Sequence, residues 1–456
     1  MTKYIVYLSV AVAAIGSFSC RKYVEVEQPN QRVLKYTSDY QALLNNVTVF
    51  EGGYNMPMLS ESDVDAGNST AVQNRLTNEL GNIYTWAADY YTGAQTDGVW
   101  TQQYNVIYEC NAIVNGVMSS LNGTDAQKQT IYAEALAQRA YTYLMLLNMY
   151  APVYNQATAS TDLGLPLLLS PDLFVDLTRS SVQTVYDQIL QDVTTALPNL
   201  LDHPSNNLHA GKAAGYATLA RMYLYMQNYA KAGENAAMAL RYQDSLLNLS
   251  AFGTTLTGYP RRLQHPELIL CKKGARLGFF SLPLSNELLS YFSANDLRYT
   301  LYTRDGSNFS PSFTGRGSFK YNLFANDDIA IGVSVPEMML IQAEGLARNN
   351  QPSEAMALVN KLRQKRFKAA DYVALSANTG TEALNIVLAE RRRELFGTGL
   401  RWFDQRRLSR EPALATTVTR AFKGNNYTLE PGSNRFVYPI APYYIQLNPE
   451  IQQNKR

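Results

Sequence analysis

Two segments of the chain carry the same pattern of small, apolar and aromatic residues, and this repeat constrains the fold more than any other feature. Residues at offsets 0, 3, 12, 16 and 19 match in the two segments: Ala220, Tyr223, Ala232, Ala236 and Ala239 in one, and Ala343, Leu346, Ala355, Val359 and Leu362 in the other. Spacings of three and four residues place side chains on one face of an α-helix. The repeat therefore predicts two antiparallel helix pairs, over 211–241 and 337–363.

The repeated pattern resembles the tetratricopeptide (TPR) helix–turn–helix unit, in which small residues let two helices approach closely. Residues 127–197 hold two further helical segments, separated by an insertion, that could form another pair. A last helix is predicted over 382–396, and the sequence offers no full partner helix to complete a pair with it. We therefore predict a mostly α protein in which TPR-like helix pairs form a superhelical scaffold.

Long segments rich in Tyr, Gly, Asn and Ser separate these units, notably 45–101, 248–334 and 410–435. Segments of that length inside a compact protein are usually functional or have structure of their own. We predict one domain over 21–456, in which the helical scaffold supports an irregular face formed by the insertions 45–101 and 248–334.

Composition argues against several classes of function. The formal net charge is +2, so the basic excess typical of nucleic-acid binders is missing. Three cysteines cannot form a four-cysteine zinc site, and none of the three histidines stands four residues from another. We predict no metal, no cofactor and no nucleic-acid partner.

The amino terminus has the features of a secretory signal. Lys3 precedes a largely apolar run of 14 residues, 5–18, which is shorter than the roughly 20 residues of a membrane span. The run ends at Cys20, and a cysteine after small residues resembles a bacterial lipoprotein cleavage site. We predict a signal peptide over 1–20 and a lipid on Cys20; an ordinary cleaved signal is the alternative.

Short motifs occur in order across the mature chain, at 100–111, 134–141, 150–153, 164–167, 179–192, 296–298, 320–321, 390–396, 399–404, 438–440 and 448–454. Together they resemble the SusD/RagB family of surface nutrient-binding lipoproteins. The resemblance implies a SusD-like fold and a non-enzymatic protein on the outer-membrane surface. It also implies an oligosaccharide or similar nutrient as ligand and a SusC-like TonB-dependent transporter as partner. In such a protein the helical face docks the transporter and the insertions face the ligand.

A sugar presents polar edges and an apolar face, so its binding site combines flat rings with polar groups. The segment before the Trp100 motif offers this chemistry, and so does 299–313. The predicted ligand-binding residues are Asp65, Arg75, Tyr84, Trp86, Tyr90, Tyr91, Tyr302 and Phe309. Trp86 is the leading candidate for a stacking platform; the alternative is that Trp86 packs beneath a long loop.

Two other functions remain open at this point. A TPR-like scaffold could bind a protein and no sugar, or two convergent carboxylates could make a glycan hydrolase. Glu390 and Glu394 lie one helical turn apart, but arginines flank them, which favours a structural polar network. Asp63, Asp65 and Gly67 superficially resemble a calcium loop, although an Asp-capped turn is the simpler interpretation. We predict no catalytic residue.

Overall fold

The computed structural model describes residues 34–274, 281–320 and 329–456. The predicted signal peptide and Cys20 lie outside these residues. Within them are seventeen α-helices and ten short strands, which confirms the mostly α prediction. No helix of the described ranges combines the length and apolar character that crossing a membrane requires.

The first eight helices precede the region of the two repeats. They are α1 Thr37–Leu44, α2 Val47–Phe50, α3 Met56–Ser60, α4 Thr70–Gln73, α5 Asn78–Tyr84, α6 Gly98–Gly116, α7 Asp125–Tyr150 and α8 Val182–Ala196. The others are α9 Lys212–Tyr225, α10 Tyr229–Tyr242, α11 Asn286–Ser290, α12 Leu297–Tyr302, α13 Val335–Arg348, α14 Pro352–Arg363, α15 Gly380–Leu395, α16 Leu400–Leu408 and α17 Pro442–Leu447.

All strands form two-stranded antiparallel sheets between helices. They are β1 Leu163–Pro166, β2 Arg179–Ser181, β3 Leu268–Leu270, β4 Lys273–Gly274, β5 Thr303–Asp305, β6 Arg316–Ser318, β7 Ile329–Ala330, β8 Val333–Ser334, β9 Val418–Phe422 and β10 Asn425–Leu429. The pairs are β1–β2, β3–β8, β4–β7, β5–β6 and β9–β10. The predicted irregular segment 410–435 therefore contains a hairpin.

The long helices pack in succession, each against the next. Helix α6 packs on α7, α7 on α8, α8 on α9, α9 on α10, α10 on α13, and α13 on both α14 and α15. The predicted turns are present between α9 and α10 and between α13 and α14. The helix predicted over 382–396 is α15, and it packs on both helices of the preceding pair, α13 and α14.

Small side chains bring these helices together, as the repeat predicted. Ala232, Ala236 and Ala239 of α10 are fully buried. Where α10 meets α13, a Cβ added to Gly345 would lie 2.8 Å from the carbonyl oxygen of Tyr229. The backbones therefore approach so closely that no side chain fits between them.

The two long insertions meet on one side of this helical scaffold. Val64, in the first, forms an antiparallel bridge with Leu284, in the second. The backbone N–H of Ser285 donates to the carbonyl oxygen of Asp63 at 2.8 Å. Segments more than 200 residues apart in sequence are thus joined through their backbones.

Candidate functional site

Trp86 lies in the core and offers no ring face to solvent. Its indole is 3% exposed, and its Nε1 donates to the carbonyl oxygen of Ser60 at 3.0 Å. The guanidinium of Arg420 covers the ring at 4.5 Å from the centroid. The structure corrects the leading prediction here: Trp86 packs beneath other chain segments, which is the alternative interpretation.

Arg420 covers the Trp86 ring and bonds to the backbone around it. It projects inward from β9 and donates to the carbonyl oxygens of Leu59 at 2.8 Å and Tyr84 at 2.6 Å. It also donates to the carbonyl oxygen of Glu61. Burial lowers the pKa of Arg420. The hairpin β9–β10 thus covers Trp86 from a position more than 330 residues later in sequence.

The four predicted tyrosines are buried as well, which corrects their assignment as ligand contacts in this conformation. The Tyr84 hydroxyl accepts from the backbone N–H of Ala66, and Tyr91 donates to a methionine sulfur. Tyr90 packs edge-on against Tyr91, and the hydroxyl of Tyr302 lies 3.3 Å from the hydroxyl of Tyr259. Burial raises the pKa of each of these hydroxyls. Their rings stabilise the insertions from within.

Asp65, Arg75 and Phe309 are the predicted residues that reach the surface. Asp65 and Arg75 are exposed, and Phe309 is half-buried. The Asp65 carboxylate accepts from the backbone N–H of Gly67 at 2.8 Å, so 63–67 is the Asp-capped turn. No cluster of three or more potential metal ligands exists among the residues that the structure describes.

Phe309 sits at the tip of the loop 305–315, between β5 and β6. Its ring stacks on Phe313 with centroids 5.4 Å apart and planes 11° from parallel. It also lies over Gly317, where a Cβ would come within 2.7 Å of the ring. The neighbouring loop residues are polar and exposed: Ser307, Asn308, Ser310 and Ser312. A supported, partly open ring among hydroxyl and amide groups is suited to a sugar.

Backbone contacts join this loop to Asp65. The N–H of Asp65 donates to the carbonyl oxygen of Pro283 at 2.9 Å. Pro283 in turn bridges Gly317, the residue beneath Phe309. We call Asp65 together with the loop 305–315 the insertion surface. Arg75 lies two residues after α4, where the Gln73 side chain accepts from the N–H of Lys423 and donates to the carbonyl oxygens of Ala66 and Gly67 in the Asp65 turn.

A cleft of about 960 Å³ lies beside the start of α6, and the sequence had not indicated it. Glu51 and Arg262 form a 2.7 Å ion pair in its wall. Glu79 and Asp97 also line it, and burial together with Asp97 raises the pKa of Glu79. Asp97 caps α6, accepting from the N–H groups of Val99 and Trp100. The Asp97 carboxylate therefore serves as the N-cap of helix α6.

Glu390 and Glu394 form the buried polar network that the sequence suggested. Arg298 donates to both carboxylates at 2.8 Å, and Arg363, Arg366 and Arg393 complete the set. These arginines hold both carboxyl pKa values at about 2, although burial opposes the shift. A carboxyl group that is ionised and enclosed cannot protonate a leaving group. This pair is structural.

Comparison with known proteins found two matching family models and a related sequence. A family model described as starch-binding associating with outer membrane matches residues 22–224, and a second, described as SusD family, matches 335–456. A SusD-like protein of Formosa agariphila is 23% identical over 78% of each chain.

Solved structures share the fold at low identity. A SusD superfamily protein of Bacteroides thetaiotaomicron aligns with a TM-score of 0.72 and 21% identity, over 92% of this chain and all of the other. The surface glycan-binding protein A of Bacteroides uniformis gives 0.71 at 17% identity, over 91% and 99%. With its helical stack, its joined insertions and matches at both ends, the chain belongs to the SusD/RagB family.

Proposed function

We propose that this protein binds an oligosaccharide or similar nutrient at the outer-membrane surface and delivers it to a SusC-like TonB-dependent transporter. It does so without making or breaking a bond. A lipid on Cys20 anchors it, and the helical stack docks the transporter. Family membership supports the carbohydrate-binding part of this proposal.

The observation that carries the proposal is the insertion surface. Phe309 offers a ring supported from behind by Phe313, and polar loop side chains surround it. Asp65 is joined through Pro283 to β6, the strand that lies beneath this ring. A sugar can stack its C–H face on the ring while hydroxyls reach the polar groups.

The test is retardation in affinity gels that contain a panel of polysaccharides. We expect Phe309→Ala to weaken binding by roughly tenfold, because ring stacking contributes up to about 1.5 kcal/mol. Phe174→Ala, at an exposed ring outside the insertion surface, is the matched control and should bind like the parent. Equal retardation of parent and Phe309→Ala would contradict this location of the site.

A second candidate function has an observation in its favour. Trp86 and Tyr302 are buried, which removes two rings from the predicted sugar site. A scaffold that uses its helix pairs to bind a protein, without glycan binding, agrees with that burial. Binding to no polysaccharide in the panel, together with capture of a transporter, would favour this candidate.

A further inference from the structure

One loop of this protein exposes large apolar side chains to an unusual degree. Phe174 is 99% exposed and Leu173 is 76% exposed, at the tip of the connection between β1 and β2. Isolated apolar residues are common on surfaces, whereas contiguous ones mark an interaction site. Leu169 and Val175 of the same connection are exposed as well. Neither the ligand site nor the helical stack accounts for this loop.

The exposed apolar residues continue from the loop onto the end of α6. Asn115 of α6 donates to the carbonyl oxygen of Leu169 at 3.2 Å, and Asn111 donates to that of Ser170 at 3.1 Å. These bonds tie the loop to α6. We define the apolar rim by its eight exposed members: Tyr36, Tyr108, Met118, Leu121, Leu169, Leu173, Phe174 and Val175.

The chain enters the described structure at this rim. Tyr36 pairs with Leu121 in a parallel bridge, and the N–H of Leu121 donates to the carbonyl oxygen of Lys35 at 2.8 Å. Cys20 lies only fourteen residues before Leu34. Fourteen residues span at most about 50 Å even when fully extended. A lipid on Cys20 would therefore hold this end of the molecule near the membrane.

The charges of the β1–β2 connection limit how deeply it could enter a lipid membrane. Asp172 and Asp176 flank the apolar tip. Asp172 accepts from the Ser170 hydroxyl at 2.6 Å. Hydrogen bonds from Thr178 lower the pKa of Asp176. Since ionised carboxylates are costly in hydrocarbon, the loop suits the headgroup region, where tyrosine is also favoured.

We propose that the apolar rim rests in the interfacial layer of the lipid membrane to which Cys20 is anchored. The inference rests on the anchor of the proposed function and adds a second, non-covalent contact. The rim fixes the orientation of the body, because it adds a second point of contact to the lipid anchor. Shallow insertion of Leu173 and Phe174 supplies apolar burial, and Tyr36 and Tyr108 lie at headgroup level.

The test places an environment-sensitive fluorophore at Phe174→Cys in the lipidated protein, bound to phosphatidylethanolamine–phosphatidylglycerol vesicles. Cys110 and Cys271 are buried, and burial raises their pKa to about 12 and about 11, so they do not compete for the label. We expect a blue-shifted emission that lipids with brominated acyl chains quench. Val373→Cys, 69% exposed on the connection after α14, is the matched control and should stay solvent-like.

A Phe174 label as solvent-like as the Val373 label would overturn the proposal. So would a shift that appears only when the transporter is added to the vesicles and that brominated lipids do not quench, because a protein would then cover the rim. The anchor is tested separately by the intact mass of the mature protein. If Cys20 carries no lipid, a polyhistidine tag before Arg21 and nickel-chelating lipids supply the tether, and the label gives the same two outcomes. Glycan binding is assayed in gels and does not depend on either result.

Discussion

At the scale of single residues, the aromatic side chains divide into those that hold the insertions together and those that remain available. Trp86 is enclosed by Ser60 and Arg420, and Phe309 is supported but partly open. The same chemistry that makes a ring suitable for stacking on sugar makes it suitable for packing. Position in the fold decides which role a ring has.

Trp86→Ala should therefore act on stability. We expect a loss of about 3–5 kcal/mol in the free energy of unfolding, because a large buried side chain leaves a cavity. Urea denaturation followed by circular dichroism measures it, and Phe174→Ala is the exposed control. A Trp86→Ala protein as stable as the parent would contradict the burial.

The paired carboxylates predict a dependence of stability on pH. The folded protein holds the pKa of Glu390 and Glu394 at about 2, below the 4.5 of the free side chain. Their contribution to stability is thus present above about pH 4.5 and is lost as the pH falls towards 2. Glu390→Gln should lower stability at pH 7 and flatten the decline in acid.

Urea midpoints between pH 3 and 7 test this expectation. The control is Glu382→Gln, at an exposed residue in the first turn of the same helix. It should keep the slope of the parent. An unchanged slope in Glu390→Gln would mean that the network does not govern acid stability.

At the scale of elements, close backbone approach is what joins one helix pair to the next. Gly345 faces the carbonyl oxygen of Tyr229 at a distance that leaves no room for a Cβ. An alanine in a helix normally stabilises it relative to glycine by about 1 kcal/mol. Because α10 packs so closely on α13, we expect glycine to be more stable than alanine at this position.

Gly345→Ala should destabilise the protein by about 1–3 kcal/mol, because the added methyl group pushes α10 and α13 apart. Gly98→Ala is the matched control, since Gly98 begins α6 with open space around its Cα. It should be neutral or stabilising. Thermal unfolding compares the two variants, and a stabilising Gly345→Ala would contradict the close contact.

At the scale of the whole molecule, Arg392 links the helical stack to both insertions. From α15 it donates at 2.5 Å to Asp63 in the first insertion and at 2.5 Å to Glu287 in the second. Arg392 thus joins the two segments that carry the parts of the insertion surface, although it does not itself belong to that surface.

Arg392→Lys should loosen the insertion surface while the helices remain folded, because an ammonium cannot reproduce the two-pronged contact. We expect faster hydrogen exchange over 61–67 and 283–290, and weaker retention in glycan gels. Exchange in α7 to α10 should be unchanged. Arg410→Lys, at an exposed arginine, is the control. Unchanged exchange at the two insertions would show that other contacts hold them.

The sequence by itself determined the helical scaffold. The spacing of Ala232, Ala236 and Ala239 is local information, because a helix places residues three and four apart on one face wherever it lies. The turns and the paired arginines and glutamates could be interpreted in the same way. The cleft beside α6 had no such signal, because its walls come from five separate stretches of chain.

Only the tertiary structure decided which rings face solvent. Trp86 and Phe309 have equivalent sequence surroundings, in loops rich in polar and aromatic residues. The exposure of Trp86 depends on Arg420, which reaches it from a hairpin near the other end of the chain. Whether a side chain is exposed depends on which other segment of the chain packs on it. The periodicity of its own segment carries no information about that other segment.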